Sequence, residues 1–216
     1  MRKFLATKWA KVLVFLLALS PFLNLVWESF EGKLGPNPVE YLQHTTGDWT
    51  IRFLVLTLAV TPFRKTFSLP ELIRFRRMLG LFAFFYLCQH FLTYLGPDQS
   101  FSLSGMLKDV VKRPFITVGF AAFLLLVPLA VTSTRGWIRR LGGQRWQQLH
   151  RLIYVAAVLG VIHYWWLVKS DVRRPLFYGV LVVLLLFWRV RDSYLKRGSE
   201  PARAAAPTAP GASVNG

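Results

Sequence analysis

Four histidines, His44, His90, His150 and His163, are the side chains of this 216-residue sequence whose type and placing could do chemistry. His90 falls inside an apolar run, residues 78–97, that holds no Asp, Glu, Lys or Arg, and His163 falls inside another, residues 152–168. An ionisable side chain in hydrocarbon is costly and marks a functional site by default. On a helix rising about 1.5 Å per residue, His90 lies about 18 Å from the start of its run and about 10 Å from its end. His163 lies about 16 and 8 Å from the corresponding ends. Two helices crossing a bilayer in the same direction would bring these imidazoles to nearly one depth. Each neutral ring can then give one nitrogen lone pair along the axis of a low-spin haem iron, with the flat macrocycle between the helices. Phe84, Phe85, Tyr86, Phe91, Tyr94, Tyr164, Trp165 and Trp166 can wall such a site, and Gly160, one turn before His163, would let a ring approach the backbone. Zinc fits less well, because no third or fourth ligand of the usual type lies at that depth. The plain alternative is that each histidine hydrogen-bonds a neighbouring helix.

His150 precedes its charge-free run, between Arg145 and Arg151. The 13 residues to His163 are a rise of about 20 Å, which would suit a second haem stacked below the first. They also rotate an ideal helix by about 220°, so a kink or π-bulge would have to restore the face. The matching positions before His90 hold Arg76 and Arg77, poor iron ligands but good partners for haem propionates. His150 therefore stands open between a ligand, with a possible second haem, and an interfacial hydrogen-bonding residue. His44, in a first outer loop over residues 28–48, reads as a solvated side chain. Cys88 is out of phase with His90 and reads as a small buried apolar residue.

Only a membrane could hold the elements that position these residues. The chain is 54% hydrophobic and 17% charged, with mean hydropathy +0.39, whereas a soluble domain carries roughly 25% charge. That excludes a soluble nucleotide-binding enzyme, and the apolar content excludes a disordered chain. A net charge of +17 would point to nucleic acid on a soluble protein. Here the basic residues lie between apolar runs, so the bilayer explains them and no nucleic-acid partner is expected. One cysteine excludes a disulfide framework. The runs at 12–27, 49–63, 78–97, 114–134, 152–168 and 175–188 predict an all-α, polytopic bundle of six transmembrane helices. Arg52, at the start of the second run, is expected to snorkel to the headgroups. The basic start followed by residues 12–19 resembles a signal peptide, but the run continues past Pro21 to Trp27 without a small-residue cleavage site, so a retained helix is expected. Basic clusters at 2–11, 64–77, 135–151 and 189–203 fall on one side and outnumber those at 33, 108–113 and 169–174. Both termini are therefore expected in the cytoplasm. Residues 1–197 form the expected membrane domain, and the Ala/Pro/Gly-rich residues 198–216 a disordered cytoplasmic tail.

The stretch from Arg76, RRMLGLFAFFYLCQHFLTYL, followed by RWQQLHRLIYVAAVLGVIHYWW from Arg145, resembles the ferric-reductase-like transmembrane haem domain. Within that superfamily it is similar to the haem-binding membrane subunits of bacterial periplasmic methionine sulfoxide reductase systems, the MsrQ or YedZ type. The resemblance spans residues 8–197. It implies a bacterial inner-membrane subunit that takes electrons from the quinol pool and passes them, through haem b, to a periplasmic molybdopterin-containing catalytic subunit in a heterodimer. That partner would reduce methionine sulfoxide and so repair oxidised periplasmic proteins, catalysis lying on the partner. FMN is associated with the family. Carried over, His90 and His163 would be haem ligands and His150 a third family histidine. The chain departs from the eukaryotic oxidase pattern in lacking a second histidine on the third run, which leaves the second haem open. It has no G-x-G-x-x-G fingerprint, so electrons must come from quinol or a separate flavoprotein.

Two other classes compete with an electron conduit. A proton-relaying transporter could use the histidines, but such proteins carry inverted repeats and none is visible here. A non-redox membrane anchor would purify colourless.

Overall fold

The structure, a computed structural model, describes residues 2–98, 100–168 and 170–204, with backbone alone at residues 98 and 196–204. Helices make up the regular structure among the described residues: α1 (Arg2–Leu5), α2 (Lys8–Phe30), α3 (Pro38–Thr66), a 3-10 turn (Pro70–Leu72), α4 (Ile73–Thr93), α5 (Leu103–Lys112), α6 (Pro114–Val131), α7 (Arg135–Leu149), α8 (Leu152–Leu167) and α9 (Arg173–Ala204). A π-turn, Tyr94–Asp98, continues α4. The starts follow local chemistry. Thr7, Asn37, Ser102 and Thr134 each accept a hydrogen bond from a backbone N–H of the first turn of α2, α3, α5 and α7.

The stretches Lys8–Phe30, Pro70–Pro97 and Pro114–Val131 are long and apolar enough to cross a membrane, and α8 is a shorter apolar helix. Leu16, Leu17 and Leu23 on α2, with Val183, Leu184 and Phe187 on α9, are exposed. An apolar outer surface of this kind belongs in lipid, and the chain is a multi-pass membrane helix bundle.

Two antiparallel pairs frame the interior. α3 packs on α4, with the Thr57 methyl 3.5 Å from where a Cβ on Gly80 would stand. α6 packs on α8, joined at one end by His163 to the Phe115 carbonyl and at the other by His150 to Thr132. Ala83, Ala156 and Ala157 are fully buried, because small side chains let helix backbones come close where lipid gives no hydrophobic push.

Tyr86 fastens α2 to this frame. Its ring stacks on Phe53 at 5.4 Å, and its hydroxyl donates to the Ala18 carbonyl (2.9 Å) and accepts from the Phe22 N–H (3.1 Å). The hydroxyl thus sits in the backbone ladder of α2 beside Pro21, whose nitrogen has no proton to give. Tyr86→Phe leaves two buried backbone groups without it and should lower stability by about 1–3 kcal/mol. A thermal melt of the detergent-solubilised protein checks this, and an unchanged midpoint would contradict it.

Three expectations change. α3 begins at Pro38, so most of the outer loop expected over residues 28–48 is helix and His44 lies on it. Asn37 as cap, Pro38 at the first helical position and Glu40 in the first turn are the physical reason. Arg52, expected to be a snorkelling residue, is paired and still partly exposed: it lies 3.6 Å from Asp48, donates to Tyr178 Oη at 3.2 Å, and stacks over Trp49 at 4.5 Å. Pairing and stacking replace part of the water that snorkelling would have supplied. α9 continues beyond residue 198 to Ala204, past Gly198 and Pro201; residues 205–216 of the expected tail lie outside the described residues.

Candidate functional site

His90 sits one turn before the end of α4, and His163 one turn before the end of α8. Their ring centres are 6.2 Å apart with planes at 76°. His90 Nδ1 lies 3.0 Å from the Gln43 carbonyl on α3, and His163 Nδ1 lies 2.7 Å from the Phe115 carbonyl on α6. A carbonyl only accepts, so each Nδ1 carries the proton and each Nε2 keeps its lone pair. An imidazole nitrogen about 2 Å from a metal, with its ring centre about 1 Å further, places two rings on opposite sides of one ion about 6 Å apart. The observed spacing matches.

Between the two helix pairs lies a cavity of about 330 Å³, in the range of small-molecule sites. Its floor is apolar, with Ile51, Leu54, Leu87, Ala122, Leu126 and Ala156; its mouth is polar, with Gln43, His44, Asp48, Tyr94, Arg113 and Tyr164. Among the described residues no group of three or more His, Cys, Asp or Glu could hold a bare metal ion. Two imidazoles alone suit a group that brings its own equatorial donors, and a porphyrin does. An apolar floor and a polar, partly cationic mouth also suit a flat ligand with two carboxylates on one edge. Haem fits the residues present.

An ion-pair cluster closes one side of the mouth. Asp48 accepts from Tyr164 Oη at 2.8 Å and from Arg174 Nη1 at 3.2 Å, besides its contact with Arg52. On the other side Arg113 Nε is 3.5 Å from Asp109 Oδ1.

The aromatic walls expected from sequence divide. Phe91, Tyr94 and Tyr164 line the cavity. Phe84 and Phe91 stack on Phe123 of α6, at 6.2 and 4.6 Å. Phe85 and Tyr86 face α2 instead, and Trp165 and Trp166 are exposed. Gly160 lines the cavity, and a Cβ there would meet only the Ile51 Cδ1, at 3.8 Å.

His150 lies away from this cavity, where α7 meets α8. Its Nε2 is 3.1 Å from Thr132 Oγ1, and its ring stacks on Trp146 at 3.9 Å. Burial, and then the charge of the Arg76 guanidinium, push its pKa below the ordinary imidazole value. Arg76 is half-buried, while Arg77 is exposed. His44 is half-exposed, with Nε2 3.6 Å from Glu40, and still borders the mouth. Cys88 is half-buried.

Sequence reasoning passed over Gln43, Asp48, Phe115 and Arg113. Two of these act through backbone carbonyls, which leave no trace in residue type. Asp48 offered a weak signal, since an acid one turn before Arg52 at a helix start invites an i,i+4 pair.

The family model for the ferric reductase like transmembrane component matches residues 46–161. Among curated relatives, the protein-methionine-sulfoxide reductase heme-binding subunit MsrQ of Herminiimonas arsenicoxydans is 54% identical over 196 residues, 90% of each chain. The subunit of the same name from Xanthomonas oryzae pv. oryzae is 47% identical over 93% of this chain and 94% of its own. That from Caulobacter vibrioides is 48% identical over 82% and 85%.

Proposed function

The chain belongs to the ferric-reductase-like transmembrane family, among its MsrQ-type heme-binding subunits, and on that premise we propose that it carries electrons through haem b to a separate periplasmic methionine sulfoxide reductase. What supports this is the imidazole pair, 6.2 Å apart with both Nδ1 atoms committed to carbonyls. His90 and His163 would hold the iron, one from each helix pair. Bound there, haem supplies a one-electron couple. The two histidines, each held from behind by a carbonyl, would present their Nε2 lone pairs to the iron in fixed orientations. Ile51, Leu54, Leu87 and Leu126 keep water from the floor, and Arg113 with His44 offers the mouth donors that carboxylates need.

In the bilayer, the six long helices would span the inner membrane with both termini in the cytoplasm, so the mouth opens to the periplasm. There a molybdopterin-containing catalytic subunit would dock as the heterodimer partner. Electrons would arrive from the quinone pool or from a separate flavoprotein, FMN belonging either to that donor or to a second site on this chain. His150, within reach of the Arg76 charge, would mark a second haem position toward the cytoplasm.

The test is a reduced-minus-oxidised visible spectrum of the purified protein with pyridine haemochrome analysis. Bands of haem b in at least one equivalent are expected. A colourless preparation from haem-supplemented cells would contradict the assignment.

A further inference from the structure

Given the assignment of His90 and His163 to haem iron, on which this rests, we propose that Gly47 and Gly119 are positioning residues that open a backbone carbonyl to each ligand imidazole. The same arrangement occurs twice, on two unrelated segments. On α3, the Gln43 carbonyl holds His90 Nδ1 at 3.0 Å, and a Cβ on Gly47, four residues later, would stand 3.3 Å from His90 Nδ1 and Cε1. On α6, the Phe115 carbonyl holds His163 Nδ1 at 2.7 Å, and a Cβ on Gly119, again four residues later, would stand 2.7 Å from Nδ1 and 2.8 Å from Cε1.

Helix geometry explains the spacing. The carbonyl of residue i points toward the N–H of residue i+4, and Cβ atoms tilt toward the helix N-terminus. A side chain at i+4 therefore overhangs the carbonyl of residue i on its open side. A glycine there leaves room for a donor as bulky as an imidazole ring, here a ring N–H arriving from a neighbouring helix. The other helical glycines of the core do not share this: a Cβ on Gly80 would meet the Thr57 methyl at 3.5 Å, and one on Gly160 would meet Ile51 at 3.8 Å.

The chemical consequence follows from the bond. An Nδ1–H···O=C hydrogen bond fixes the tautomer, orients the ring and makes Nε2 a stronger donor. A stronger axial donor favours the ferric over the ferrous state, so losing the bond should raise the midpoint potential.

The effects should be graded by distance. Gly119→Ala puts a methyl inside contact distance of the His163 ring, which must move off its carbonyl. Gly47→Ala asks the His90 ring to yield a few tenths of an ångström. Gly80→Ala, whose new methyl would meet only the Thr57 side chain away from the cavity, serves as the control. The full-length protein in detergent is loaded with haem, and haem affinity, the low-spin electron paramagnetic resonance signal and the midpoint potential are measured. Expected are a roughly 10–100-fold loss of haem affinity for Gly119→Ala, with an upward potential shift and altered low-spin signal in the fraction that binds. Gly47→Ala should show a smaller shift in the same direction, and Gly80→Ala none. A Gly119→Ala protein with wild-type potential and signal would overturn the proposal.

Chemical rescue covers the case in which Gly119→Ala does not fold. His163→Gly is loaded with haem and titrated with imidazole or with 1-methylimidazole, which has a methyl where the N–H would meet the Phe115 carbonyl. Imidazole should restore the low-spin signal at least about tenfold more effectively; equal rescue by both overturns the proposal. A wild-type protein that binds no haem would instead fail the ligand assignment, whereas haem binding with indifferent glycines fails the cradle alone.

Discussion

His90→Ala, and separately His163→Ala, should abolish the low-spin haem signal. Each ring is one of the two cavity imidazoles held from behind by a backbone carbonyl, and no group of three or more His, Cys, Asp or Glu that could hold a metal occurs among the described residues. The Gln43 and Phe115 carbonyls are turned to Nδ1, and Asp48 is taken by Tyr164 and Arg174. Haem retention should fall by more than the roughly 10–100-fold that loss of a second-shell partner costs. His44→Ala, which removes a half-exposed ring paired with Glu40, should leave the signal in place. His150→Ala should leave the His90–His163 signal intact and remove only a second, separable one if that site is filled. The comparison is made by visible and electron paramagnetic resonance spectra on protein shown to be monodisperse, and a full wild-type spectrum from His90→Ala would make the ligand pair wrong.

Lys108→Glu with Lys112→Glu should slow electron delivery to the periplasmic partner about tenfold at low salt, with the difference shrinking as salt rises. Both lysines are exposed on α5, the helix that leads into Arg113 at the cavity mouth. Charge of one sign beside an exit site governs encounter more than affinity, so the effect should fall on the association rate. Arg174→Glu is a poorer probe, because Arg174 holds Asp48 and through it Tyr164 at the mouth; that change would disturb the site as well as the surface. Lys169, in the basic cluster over residues 169–174, lies outside the described residues. Stopped-flow reoxidation at two ionic strengths checks this, and a rate unaffected by reversing both lysines would remove α5 from the docking surface.

How much was legible in the sequence follows from which forces act at short range. Long apolar runs are a one-dimensional signal, so the positions of α2, α6 and α8 and the shared level of His90 and His163, whose rings lie 6.2 Å apart, could be counted from residue spacing. The pairing of those helices could not. That His90 is served by α3 and His163 by α6 depends on which faces pack, and the carbonyls of Gln43 and Phe115 look like any others in the chain. The partners of Arg52 were hidden for a related reason. Asp48 stands one turn earlier, but Tyr178 lies far along the chain, and both hold its guanidinium. Gly160, expected to give a flat ring room, lines the cavity, whereas residue spacing gave no sign of the glycines set against the histidine rings. The glycines that matter stand across the gap, on α3 and α6.

The central claim is that electrons held between His90 and His163 leave for methionine sulfoxide by way of a periplasmic subunit. It is tested most directly by reducing the purified protein anaerobically and mixing it with that subunit and methionine sulfoxide, following the haem bands. Each sulfoxide takes two electrons and two protons to give the thioether and water. The haem is predicted to reoxidise only when both subunit and sulfoxide are present, with two reduced haem equivalents consumed per methionine formed. Bands that stay reduced with both present would contradict the account.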